Sequence, residues 1–230
     1  MARQSLFRRK SFTFFEGLAD NNSKDWFDEH RAEFTYELDE PFEELLEAVS
    51  DQLAGTDLPL TGGRATMFRI NRDVRFGPDK SPYSTHVSGM LTRSGSKNEA
   101  AALVYVQIGV DGGLLAGGLH RPDAGTLAPL RRAMIDHPEA FVRVKDELER
   151  NGYALDRSEV LKTMPRGFAE YADHDLADDL RLKELIVTEQ LSMTACCTPD
   201  LVQRVTDFAL GVAPLLVYLE DNGATASRRR

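Results

Sequence analysis

Leu103-Val104-Tyr105-Val106-Gln107-Ile108-Gly109-Val110-Asp111-Gly112-Gly113-Leu114-Leu115-Ala116 is the stretch that decides the fold. Its β-branched and aromatic first half reads as a strand, Asp111-Gly112-Gly113 as a tight turn, and Leu114-Leu115-Ala116 as the returning strand. Working outward, residues 84–92 and 65–70 carry the same apolar, β-branched character and predict two more strands. Gly117-Gly118 either breaks or bulges the returning strand, or lets another backbone approach closely. Residues 186–191 predict a last strand.

On both sides the period changes to that of helices. Phe12, Phe14, Phe15 and Leu18 mark a first helix, with Asn21-Asn22 as its stop. Asn22 or Ser23 caps a second, which runs from Lys24 towards Leu38 with Trp26, Phe27, His30 and Phe34 on one stripe. Pro41 opens a third through Leu53. Beyond Pro122, helices follow around Leu127–Ile135 and Phe141–Leu148, a loop over 162–168, and a short helix over 175–185. A final helix starts at Thr198-Pro199-Asp200 and passes through Leu216, with a kink expected at Pro214. The expectation is a single α+β domain over residues 1–222: an antiparallel meander flanked by N-terminal and C-terminal helices. Residues 223–230, ending Arg228-Arg229-Arg230, read as a disordered basic tail.

The 230 residues are 42% hydrophobic and 28% charged, which excludes a wholly disordered or collagen-like chain. No run approaches the roughly 20 apolar residues of a membrane span. The basic N-terminus leads into an amphipathic segment, so no secretory signal is expected, and the chain is assigned to the cytoplasm. Cys196-Cys197 then read as small buried thiols in a reducing compartment.

Net charge is -9, yet Arg64, Arg69, Arg72, Arg75, Lys80, Arg93 and Lys97 face only Asp73 and Asp79 over residues 64–97. That segment carries +5 and the remainder -14, so nucleic acid is not the expected partner. Within the island, a strand through residues 68–76 puts Arg69, Asn71, Asp73 and Arg75 on one face. Phe68, Ile70, Val74 and Phe76 share the other, with Arg72 among them, whereas a helix would put Arg69, Arg72, Asp73 and Phe76 on one face; the flanking β-branched and aromatic residues favour the strand. An arginine on an apolar face requires a carboxylate or a bound anion. Arg69, Arg72 and Arg75 offer planar donor forks for phosphate or carboxylate, and Lys80 adds a point charge. Backbone N–H groups near Gly77 can add to the same site. Tyr83 can donate a hydrogen bond, and Trp26 or Tyr83 can supply a stacking wall. His86, Asp73 and Tyr83 are the candidates for proton transfer.

Arg69-x-x-Arg72-Asp73-x-Arg75-Phe76-x-x-x-Lys80-x-Pro82-Tyr83 resembles in full the defining motif of domain-of-unknown-function family 2461, a mostly bacterial family of about this length. Phe14-Phe15-x-x-Leu18, Asn21-Asn22-x-x-x-Trp26-Phe27, Gly117-Gly118 before Pro122, and Leu161-Lys162-x-x-Pro165-x-Gly167-Phe168 resemble it too. Ala116 departs from the pattern, standing where relatives tend to carry a third glycine. The resemblance implies no activity.

No phosphate-binding loop, dinucleotide fingerprint or nucleophile elbow occurs. The five histidines, His30, His86, His120, His137 and His174, are dispersed, so no metal site or cofactor is expected. The expectation is binding of an anionic, phosphorylated or carboxylated small molecule or nucleotide through Arg69, Arg72, Arg75, Lys80 and Tyr83. Two alternatives stand beside it. One is an enzyme acting on such a phosphate ester. The other is a structural charge network in a protein that acts through protein partners. Oligomeric state is left open.

Overall fold

A computed structural model describes residues 5–75, 79–98 and 103–223 of the chain. Four strands form one antiparallel sheet in the order β1 (His86–Leu91), β2 (Leu103–Gly109), β3 (Gly112–Leu119) and β4 (Leu185–Leu191). Neighbours in sequence are neighbours in space, as in a meander. β1 pairs with β2 from His86–Gly109 through Leu91–Val104. The β2–β3 turn falls on Val110 and Asp111, one residue before the expected position. Gly112 re-enters the strand with φ +113°, where a Cβ would lie 2.2 Å from the Leu191 carbonyl oxygen. The expected α+β class is therefore found.

The chain divides into two compact units. One comprises Met1–Lys97, Val104–Leu115 and Glu189–Phe208; the other comprises Asn98–Leu103, Ala116–Thr188 and Ala209–Arg230. In the first, α1 (Arg9–Asp20) buries Phe12, Phe14, Phe15 and Leu18. The expected single helix from Lys24 to Leu38 is broken. α2 (Lys24–Glu29) is capped by Ser23 and ends at His30, whose ring stacks on Trp26 at 4.0 Å. His30 Nδ1 lies 2.8 Å from the Trp26 carbonyl oxygen, so the side chain takes up an acceptor at the helix terminus. α3 (Arg31–Phe34) passes through a π-helical turn over Thr35–Asp39 into α4 (Glu40–Leu53). α4 then packs on β1, where a Cβ on Gly89 would meet Leu46 at 2.7 Å.

The same unit holds α8 (Met193–Cys196), and α9 (Leu201–Gly211) begins in it. Cys196 is buried and Cys197 half-buried, both as free thiols. Burial pushes the Cys196 thiol up to about 12 and the Cys197 thiol upward as well, which keeps both away from the reactive thiolate form.

In the second unit, α5 (Ala124–Asp136) starts at Asp123, whose Oδ1 accepts the Thr126 N–H at 2.7 Å. α6 (Pro138–Arg150) carries Phe141, Val144 and Leu148 on its buried face. The short helix expected over 175–185 contracts to α7 (Ala177–Leu180), because residues from Leu185 onward belong to β4. α10 (Ala213–Asp221) has Pro214 in its first turn, where no N–H is required, so the expected kink is a break at Val212 instead. Leu215 and Leu216 are wholly buried. Among the described residues, no single helix is long and apolar enough to cross a membrane. Gly223 is described, and the rest of the expected tail, residues 224–230, lies outside the described residues.

Candidate functional site

The motif does not form the regular strand expected over residues 65–70. Arg64–Thr66 is a 3-10 turn, and residues 67–72 run extended against 82–89 through isolated antiparallel bridges at Met67–Gly89 and Asn71–Tyr83. Phe68 N donates to Ser88 O at 2.8 Å, Ser84 N to Ile70 O at 2.8 Å, and Arg72 N to Pro82 O at 2.9 Å. This pairing is too sparse to impose alternation. Ile70 is buried but Phe68 is 42% exposed, so the two do not share a core face. Arg72 therefore lies on no apolar face. Phe76 and Gly77 lie outside the described residues.

Asn22 fixes the returning arm. Its Nδ2 donates to Tyr83 O at 2.9 Å and its Oδ1 accepts the Tyr83 N–H at 3.0 Å. The asparagine read as a helix stop is thus a latch on the motif, 61 residues away in sequence.

The motif cations separate into two groups. Arg72, Arg75 and Lys80 end on their own loop. Arg72 Nη1 donates to Asp79 Oδ2, and Ser81 N donates to Asp79 Oδ1 at 2.9 Å. The Arg72 guanidinium holds the Asp79 carboxyl far below the usual carboxylate range. Arg75 forks onto Asp73, Nε to Oδ1 at 2.9 Å and Nη2 to Oδ2 at 2.7 Å, which lowers the Asp73 carboxyl in turn. Lys80 Nζ donates to Val74 O at 2.8 Å. Pairs this exposed add little net stability, and each ties described residues of the motif to one another.

Arg69 forms the other group. It lines a cleft of about 340 Å³ with Arg31, Arg64, Lys97, Asn71 and Tyr83. Arg64 pairs with Asp39 and Glu43, and Arg31 pairs with Asp28 while lying 5.1 Å from the Phe27 ring centroid. Lys97 Nζ donates to Met67 O at 2.7 Å. Arg69 is exposed and makes no ion pair or hydrogen bond among the described residues. Tyr83 is buried with its ring stacked on Phe27 at 4.2 Å, so it lines the cleft, while Trp26 is occupied by His30.

The π-helical turn contributes Asp39 to this cleft, and a non-standard turn at that point changes which residues face it. Arg31, 38 residues before Arg69, carries no local cue that ties it to the motif. Arg64 and Lys97 were visible as part of the basic island.

His86 lies elsewhere, in a polar cavity of about 260 Å³ lined by Thr85, Gln107, Asp111 and Gln190. Burial, with Arg72 adding to it, lowers the imidazole pKa below its ordinary value. The unfolded chain therefore takes up this proton first. The stability associated with neutral His86 is complete above about pH 6.5 and is lost as pH falls below it. The Tm of the wild type should fall between about pH 7 and 5, and His86→Gln should flatten that part of the profile. Equal slopes in the two proteins would refute the assignment. Asp73 and Asp79 titrate at lower pH and do not obscure this window.

Among the described residues, no group of three or more His, Cys, Asp or Glu side chains is placed to hold a metal ion. The model of the conserved hypothetical protein family DUF2461 matches residues 10–218, and the chain belongs to that family. No curated protein and no solved structure matches the chain.

Proposed function

We propose that the protein binds an anionic small molecule in the cleft at Arg69. The observation that carries this reading is the contrast within one motif. Arg72, Arg75 and Lys80 have partners on their own loop, while Arg69 projects into a cleft lined by three further cations without one. An arginine so placed presents its donor fork to a phosphate or carboxylate. The loop pairs favour a bracing role for Arg72, Arg75 and Lys80, so a structural network and a ligand site divide the motif between them. The free thiols Cys196 and Cys197 suit a reducing cytoplasm.

The test is a thermal-shift screen of phosphorylated and carboxylated metabolites on the wild type, Arg69→Ala and Arg75→Ala. A ligand at 100-fold its Kd adds about 2.7 kcal/mol of stability. Arg69→Ala should melt like the wild type without ligand, because the side chain is exposed, and should lose the ligand-induced shift. Arg75→Ala should keep it. A full shift retained by Arg69→Ala would overturn the proposal.

A further inference from the structure

The cleft presents a flat apolar surface as well as charge. Phe68, a large aromatic at 42% exposure, stands among the cations of its lining. Lys97 Nζ lies 5.9 Å from its ring centroid, and the Tyr105 ring packs against it at 6.3 Å with a 47° tilt. Lys97 is itself tied to the Met67 carbonyl. A ring held in place yet open to solvent is a platform for a planar ligand, since stacking on an aromatic side chain accepts any flat ring.

Size and charge narrow the ligand further. About 340 Å³ is near the lower end of the range for ligand pockets, enough for one ring system and a compact polar group. The four cations of the lining meet Asp39 in the cleft, and Glu43 and Asp28 through ion pairs. Asp28 is shared with Lys24, so the lining keeps a net positive charge, and donors are free on Arg69, with its whole fork, and on Lys97, with the N–H bonds not used on Met67. That inventory matches one phosphate. The further phosphates of a triphosphate would meet Asp39 and Glu43. Resting on the anion-binding reading above, we infer that the ligand is an aromatic monophosphate of the nucleoside 5′-monophosphate class. Its phosphate sits on Arg69 and Lys97 and its base stacks on Phe68.

Isothermal titration calorimetry on the full chain tests this with adenosine 5′-monophosphate, uridine 5′-monophosphate, adenosine, ribose 5-phosphate and adenosine triphosphate. Both monophosphates should bind, about tenfold or more tighter than ribose 5-phosphate, the contribution of one stacked base. Adenosine and the triphosphate should both bind more weakly than the monophosphate. Phe68→Ala should bring nucleotide affinity down to that of ribose 5-phosphate and leave the latter unchanged. Phe68→Leu, which keeps an apolar side chain but not the flat face, should do the same and guards against misfolding of the first variant. Equal binding of ribose 5-phosphate and the nucleotides, or no effect of either Phe68 variant, overturns the inference and leaves anion binding standing. Absence of binding by every phosphate overturns the inference, and the anion-binding reading falls with it only if the carboxylates of the thermal-shift screen also fail to bind.

Discussion

Gly118→Ala is expected to destabilise the protein by about 3 kcal/mol or more, summing a strained backbone with a steric clash. Gly118 has φ +128°, outside the range an L side chain adopts easily. A Cβ there would lie 2.2 Å from the Leu185 carbonyl oxygen and 3.0 Å from Ile186 Cα. Both are backbone atoms of β4, so no side-chain rotation relieves the contact, and β3 and β4 must separate. Gly152 provides the control. It has φ +83° with nothing within 4 Å of its virtual Cβ, so Gly152→Ala carries the conformational term alone, about 1–2 kcal/mol. Chemical denaturation followed by far-UV circular dichroism compares the two. Equal losses would show that close approach to β4 is not the source of the effect.

Arg131→Met should be nearly as damaging, at about 3 kcal/mol. Arg131 is 6% exposed on α5. Its Nε donates to Leu180 O and its Nη2 to Leu182 O, each at 2.8 Å. Leu180 is the last residue of α7, where helical carbonyls lack intrahelical partners, so the guanidinium acts as the cap. Burial lowers its pKa, although an arginine stays charged in any accessible range. Methionine retains the apolar stem and leaves two buried carbonyls without a donor. Arg131→Lys should fall between the two, since one ammonium cannot span both carbonyls in the same fork. A loss within about 0.5 kcal/mol for Arg131→Met would refute the capping role.

The strands were legible because their signals are local. Alternation and a turn at Asp111 are enough to place β2 and β3, and β-branched residues place β4 to within one residue of its start. In sequence, Gly117-Gly118 is compatible with a break, a bulge or a close approach, and Gly118 makes a close approach to Leu185. The breaks at His30 and the π-helical turn at Thr35–Asp39 were not legible. They depend on a ring stacking on Trp26 and on a tertiary pairing of Asp39 with Arg64, neither of which leaves a period in the sequence. The strand expected over residues 65–70 failed for a related reason, since chemistry and spacing do not report how many ladder bonds a segment will find. The charge of the motif is plain in the sequence, but its partition is hidden there. Arg69 differs from Arg72 and Arg75 only in what surrounds it after folding.

The two-point bond from Asn22 to Tyr83 has a further effect. Tyr83 does not exchange hydrogen bonds with Asn71 across their bridge, so its own N–H and C=O point outward. Just beyond it, β1 begins to pair with β2 at His86. The Asn22 carboxamide offers the same donor and acceptor that a neighbouring strand would, and so occupies the outward-facing peptide groups of Tyr83. An open strand edge is a template for pairing with another chain, and at Tyr83 a single side chain fills that position. The asparagine thereby takes the place of a strand partner at the segment that carries the charged motif.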